Sequence, residues 1–187
     1  MAATFNWCED NGTATGSPSR GTTRSQAASP PTDVSWKNAD DAKTASTGTA
    51  YTAAPITAGT HSYTKYQYGQ FSGTFNQILN AKWSARTAPS GALATGLTLK
   101  GTVTSTYATP GTSTNAALTT NYTSAEVAIG SGLAVSFSTT GPQDGSPTST
   151  LAAAGFTQYL ATQLQTASNA TAGDMAAITM TLQYDEN

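Results

Sequence analysis

The closing stretch "AITMTLQYDEN" constrains this chain more than any other. Ile178, Met180, Leu182 and Tyr184 alternate with Thr179, Thr181 and Gln183. Side chains of an extended strand point to opposite faces in turn, so a period of two marks a strand with one face on an apolar core. The same period recurs upstream. "LTLKGTVTSTY" aligns Leu97, Leu99, Val103 and Tyr107, with Gly101 read as a bulge or a close approach of backbone. "EVAIGSGLAVSF" reads as a hairpin, with Val127 and Ile129 before a Gly-Ser-Gly turn and Leu133, Val135 and Phe137 after it. In "YTKYQYGQFSGTFNQILNAKWSAR", Phe71, Gly73 and Phe75 share a face until the phase breaks near Gln77. It resumes with Leu79, Ala81, Trp83 and Ala85 inward and Asn80, Lys82, Ser84 and Arg86 outward.

Composition agrees with strands. About three residues in ten are Thr or Ser, and only 10% are charged, against about 25% in an average domain. Thr favours strands through its branched β-carbon, while Ser, Gly, Asn and Pro favour turns. The expected fold is all-β, an antiparallel β-sandwich (Ig-like or jelly-roll-like) of about seven to nine strands. One segment, "TLAAAGFTQYLATQLQTAS", reads two ways. Phe156, Leu160 and Leu164 have helical spacing, whereas Leu160, Thr162 and Leu164 share a strand face. Gly155 and the repeated Thr weigh against a helix. The preferred reading is a closing hairpin of residues 157–166 with 176–185. The expected core is Phe75, Trp83, Leu97, Leu99, Val103, Val135, Phe137, Ile178, Met180 and Leu182.

Residues 11–32, "NGTATGSPSRGTTRSQAASPPT", offer little to bury and read as an extended arm. The chain is therefore divided into an N-terminal arm, residues 1–32, and a sandwich domain, residues 33–187. Residues 40–60 have a similar linker-like composition, and between them "DVSWKN" suggests a short strand with Val34 and Trp36 on one side. Phe5 and Trp7 are two large aromatics at a polar terminus. They are expected to anchor the arm on a neighbouring chain.

Most catalytic chemistry is closed by residue supply. The chain has one His, His61, and one Cys, Cys8. Catalytic triads, histidine metal centres, Cys/His zinc sites and internal disulfides all need more. No phosphate loop or dinucleotide fingerprint occurs. Asp10, Asp33, Asp40 and Asp41 could in form supply a carboxylate pair, but they lie in linker-like sequence. "GPQDGSP" offers Asp144 as its only charged calcium ligand and reads as a turn. The expectation is a non-enzyme with no catalytic, cofactor or metal residues and no cofactor. A net charge of −2 argues against a general nucleic-acid binder. No apolar run approaches the roughly 20 residues of a membrane helix, and no signal peptide is visible at the N-terminus.

Two features remain open. Periodicity separates most aromatics of the stretch from Tyr63 onward from its cations, as expected of a core wall. Tyr66 and Tyr68, however, fall with the polar face. This leaves an alternative, a carbohydrate-binding or adhesin module with Tyr63, Tyr66, Tyr68 and Trp83 as its platform. The second feature is charge order. Between Asp41 and Glu126 only bases occur (Lys43, Lys65, Lys82, Arg86, Lys100), and after Lys100 only acids (Glu126, Asp144, Asp174, Asp185, Glu186). This could be chance or pairing within the fold. It could also give a subunit a positive and a negative side, with Lys65, Lys82, Arg86 and Lys100 of one copy facing Asp174, Asp185 and Glu186 of another.

"PITAGTHSYTKYQYGQFSGTFNQILNAKW", "GLTLKGTVTSTYATP" and "GFTQYLATQLQTASNATAGDMAAITMTLQYDEN" resemble accessory virion proteins of tailed bacteriophages. The resemblance runs over roughly residues 30–187. It implies a multi-copy β-sandwich on a capsid, neck or tail (a decoration, fibre or tail component) assembled in the host cytoplasm. Its implied partners are other virion proteins and copies of itself, and it carries over no functional residue.

Overall fold

The computed structural model describes residues 2–14, 23–26, 36–40, 54–87, 93–110, 118, 123–124, 132–171 and 178–187. Its strands are β1 (Ala3–Asn11), β2 (Thr23–Gln26), β3 (Lys65–Gly73), β4 (Ile78–Thr87), β5 (Leu97–Thr104), β6 (Thr123–Ser124), β7 (Leu133–Ala134), β8 (Phe137–Ser138), β9 (Thr150–Leu151), β10 (Gly155–Thr157), β11 (Tyr159–Thr166) and β12 (Ile178–Glu186). No helix occurs among the described residues. Two sheets pack face to face as a β-sandwich. The larger runs β2-β1-β3 and continues through β10 to β8 and through β11 to β5. In the smaller, β4 is flanked by β12 on one side and pairs with β6, β7 and β9. All pairings are antiparallel except the short parallel contact of β4 with β6.

The core between the sheets is the one that alternation marks. Trp83, Leu99, Val135, Phe137 and Phe75 are buried. Leu97, Val103, Ile178, Met180 and Leu182 pack against them half-buried. Trp7 stands edge-on to Trp83, with ring centroids 4.3 Å apart and planes at 89°. Phe5 lies over Gly69, where a Cβ would approach its ring to 2.5 Å. Gly69 is therefore the gap in β3 that seats the aromatic.

Strands β1 and β2 take residues 3–11 and 23–26 out of the expected arm. Ala3 through Asp10 lie opposite Gly73 through Tyr66 of β3, and β2 extends the same sheet from β1's other edge. Phe5 and Trp7 pack in this chain's own core instead of on a neighbour. The physical reason is register. Alternation in "TFNWCED" puts Phe5 and Trp7 on the face that Phe71 and Trp83 already make apolar. Burial there offsets the ordering of a polar segment.

Further expectations are corrected. β11 and β12 are both strands but form no hairpin, since β11 pairs with β3 and β5 and β12 with β4 in the other sheet. Leu79 is not the inward residue, because the strand carries a bulge. Asn80 and Ala81 together stand opposite Tyr184, and Asn80 has φ of 54°. The extra residue buries Ile78 and shifts Leu79 out of phase with Ala81 and Trp83. Trp36 is buried as expected, but outside any strand, and Val34 lies outside the described residues. Gly101 pairs with Thr162 in an unbroken ladder, so the expected bulge is not there. Of the expected Gly-Ser-Gly hairpin, Val127 and Ile129 lie outside the described residues. Leu133 pairs with β4, whereas Phe137 joins the larger sheet.

Candidate functional site

Both faces of the larger sheet are covered. On the inner face stand Trp7, Phe71, Leu99, Leu160 and Leu164. On the far face Cys8, Tyr66, Tyr68, Tyr107, Tyr159 and Ala161 form a second cluster, with Ala14, Leu118 and Phe156 against it. The end of β1 sends one acidic residue to each face. Adjacent residues of a strand point opposite ways, so Glu9 enters the sandwich interior and Asp10 the tyrosine cluster.

Inside the sandwich, Glu9 Oε1 lies 3.7 Å from Lys65 Nζ, and both side chains are buried. Gln67 Nε2 donates to Glu9 Oε2 at 3.4 Å, and Lys65 Nζ donates to the Ala39 carbonyl at 3.4 Å. Burial pushes the Glu9 carboxyl above the ordinary carboxylate value. Lys65 and the Gln67 bond oppose that shift, while Asp40 adds to it. Asp40 itself accepts from the Gly12 amide at 2.8 Å. Nearby, the Trp36 indole donates to Thr162 Oγ1 at 3.1 Å. The carboxamide of Asn11, Gln67 Oε1 and Thr64 Oγ1 are buried without a protein hydrogen bond.

On the far face, Asp10 is buried and accepts from Tyr159 Oη at 2.6 Å and from Tyr68 Oη at 3.3 Å. Tyr107 Oη donates to the Gly12 carbonyl at 2.6 Å, and its ring centroid lies 4.6 Å from that of Tyr66. Burial raises the Tyr66 and Tyr107 phenols. For Tyr107 the carboxylates of Asp40 and Asp10 add to the effect. Two phenols on one carboxylate form a charge-assisted network that ties β1, β3 and β11 together.

This geometry reassigns several expected surface residues. Lys65 is inside the fold and is not available to another copy. Tyr66, Tyr68 and Trp83 are buried, Tyr66 and Tyr68 in a different cluster from Trp83, so with Tyr63 they make no exposed platform. Lys82 and Lys100 are partly exposed, and Asp185 and Glu186 are exposed. Arg86 stands opposite Thr179 in the β4–β12 ladder. Asp174 lies outside the described residues. Asp185 accepts from Asn80 Nδ2 at 2.7 Å, and Glu186 from the Ala3 amide at 2.9 Å. Sequence reasoning missed Glu9 and Asp10 as central groups. The signal that could have found them is the "TFNWCED" alternation, which continues unbroken through both.

Asp144 orders a surface turn. It accepts from Ser138 Oγ at 2.6 Å, Thr140 Oγ1 at 3.1 Å and the Ser146 amide at 2.9 Å, which holds its carboxyl below the ordinary value. Among the described residues, no three His, Cys, Asp or Glu side chains come together as metal ligands. No protein-family model matches the chain, and neither the curated proteins nor the solved structures contain a match to it.

Proposed function

We propose that this chain is a non-enzymatic structural subunit of a tailed-bacteriophage virion, carried in many copies on the capsid, neck or tail. The observation that supports this reading best is where its ionisable groups point. Glu9, Lys65 and Asp10 are buried in the larger sheet, and their described bonds run to neighbouring strands. Chemistry-bearing residues used this way lock strands in register, which is what a building block needs. The charge-poor, hydroxyl-rich sequence suits a surface packed against other protein. The resemblance of residues 30–187 to accessory virion proteins supplies the biological setting, with assembly in the host cytoplasm.

Quantitative mass spectrometry of gradient-purified particles tests the reading. Peptides of this chain should be present at many copies per particle, in fixed ratio to the major capsid protein. Their absence from particles, with the chain abundant in the soluble fraction of the same lysate, would overturn it.

A further inference from the structure

Glu9, Asn11 and Lys65 meet where the paired stretch of β1 and β3 ends. Glu9 and Asn11 are two residues apart on β1 and so take the same inner face. Lys65 takes that face of β3, two residues before Gln67, which stands opposite Glu9. The register continues with Asp10 opposite Tyr66. One further step along it sets Asn11 across from Lys65, a position in which cross-strand side chains reach one another. All three side chains are buried. Neither the nitrogen nor the oxygen of the Asn11 carboxamide has a hydrogen bond, although an interior amide left unpaired costs free energy. An uncommitted primary amide thus stands beside a buried amine and a buried carboxyl. That is a reactive set.

We propose that Lys65 and Asn11 join in an intramolecular isopeptide bond, formed once per chain with Glu9 carrying the protons. Burial disfavours both charges of the ion pair, so a proton on Lys65 Nζ can pass to Glu9 across the 3.7 Å between them. The neutral amine attacks Asn11 Cγ and forms the Nζ–Cγ bond, while Glu9 gives its proton to the carboxamide. The Cγ–Nδ2 bond then breaks. Ammonia leaves, carrying the second amine proton away as ammonium, and Glu9 ends as it began. Lys65 and Asn11 are left as one secondary amide, and the balance needs no oxidant and no second substrate. Holding amine and amide together in a dry site supplies the proximity that separate side chains in water lack. Burial also raises the Glu9 carboxyl, which favours the protonated form that the transfer uses. The bond staples β1 to β3 in a chain whose single cysteine, Cys8, allows no internal disulfide. It does not depend on the virion reading.

Intact-mass spectrometry of the purified, folded full chain tests the bond. The mass, allowing for removal of Met1, should fall one ammonia short of the sequence. After unfolding and trypsin, cleavage should fail at Lys65, and the peptide ending at Arg20 should appear joined to residues 44–82. Asn11→Asp should reach the same final mass, because it loses water in place of ammonia. Asn11→Ala should keep the mass of its own sequence, and Glu9→Gln should leave most chains uncrosslinked. A wild-type chain still at full sequence mass after prolonged incubation would overturn the bond. Loss of ammonia with normal cleavage after Lys65 would overturn it too, since that marks a succinimide at Asn11–Gly12. A Glu9→Gln chain that crosslinks as fast as wild type would overturn the role given to Glu9.

Discussion

Glu9 and Lys65 form a buried ion pair among the described residues. Removing one member of a buried pair leaves the other desolvated, which costs about 3–5 kcal/mol. Lys65→Met leaves the buried Glu9 carboxylate without its cation and should lower stability on that scale, whereas Glu9→Gln, neutral where the fold already disfavours the charge, should cost clearly less in denaturant melts. The fold holds the Glu9 carboxyl above its ordinary value, so the folded chain binds that proton more readily than the unfolded chain. The contribution is fully present below the unfolded value and is lost as pH rises through the folded one. Glu9→Gln should remove that slope. On the far face, Tyr159→Phe removes the 2.6 Å bond to buried Asp10 and should cost about 1.5–3 kcal/mol in the same melts. Tyr68→Phe, at 3.3 Å, should cost less. These roles were poorly legible in the sequence. Tyr66 and Tyr68 alternate with Phe71 and so read as polar-face residues. Alternation tells which face a side chain takes, but not that both faces are covered.

Elements were legible as strands and much less so as partners. The period of two identified β3, β4, β5, β11 and β12 and most of the inward residues, because burial on one face imposes it. It carries no information on which strand lies alongside. Residues 157–166 and 176–185 therefore read as a hairpin although β11 and β12 belong to different sheets. β1 was hidden by its neighbours, since the Gly-, Ser- and Pro-rich run after Asn11 gave the whole terminus the composition of an arm. Its eight-residue register with β3 makes it structural. Deleting residues 1–10 should abolish cooperative unfolding, as read by thermal melts and near-UV circular dichroism. At the β4 bulge, Asn80 has φ of 54°, a conformation that costs an ordinary L residue roughly 1–2 kcal/mol. Asn80→Val should destabilise by about that amount. Asn80→Gly should cost less, and the comparison separates backbone strain from the lost Asp185 bond.

At the scale of the whole molecule, the all-β two-sheet architecture follows from composition and periodicity together. Within the divided charge order, two described bases take unlike places. Lys65 is internal, and Lys82 sits opposite Gln183 in the same sheet that ends in Asp185 and Glu186. The central claim is that the acids and aromatics near the N-terminus serve the fold itself, with β1 an integral strand of the larger sheet. Native-state hydrogen exchange tests it most directly, because amides that open only with global unfolding exchange in the slowest class. The amides of Trp7, Cys8 and Glu9 are predicted to exchange in that class, together with those of β3 and β11. Exchange of these three amides at the rates of an unprotected segment, while β3 stays protected, would contradict the account.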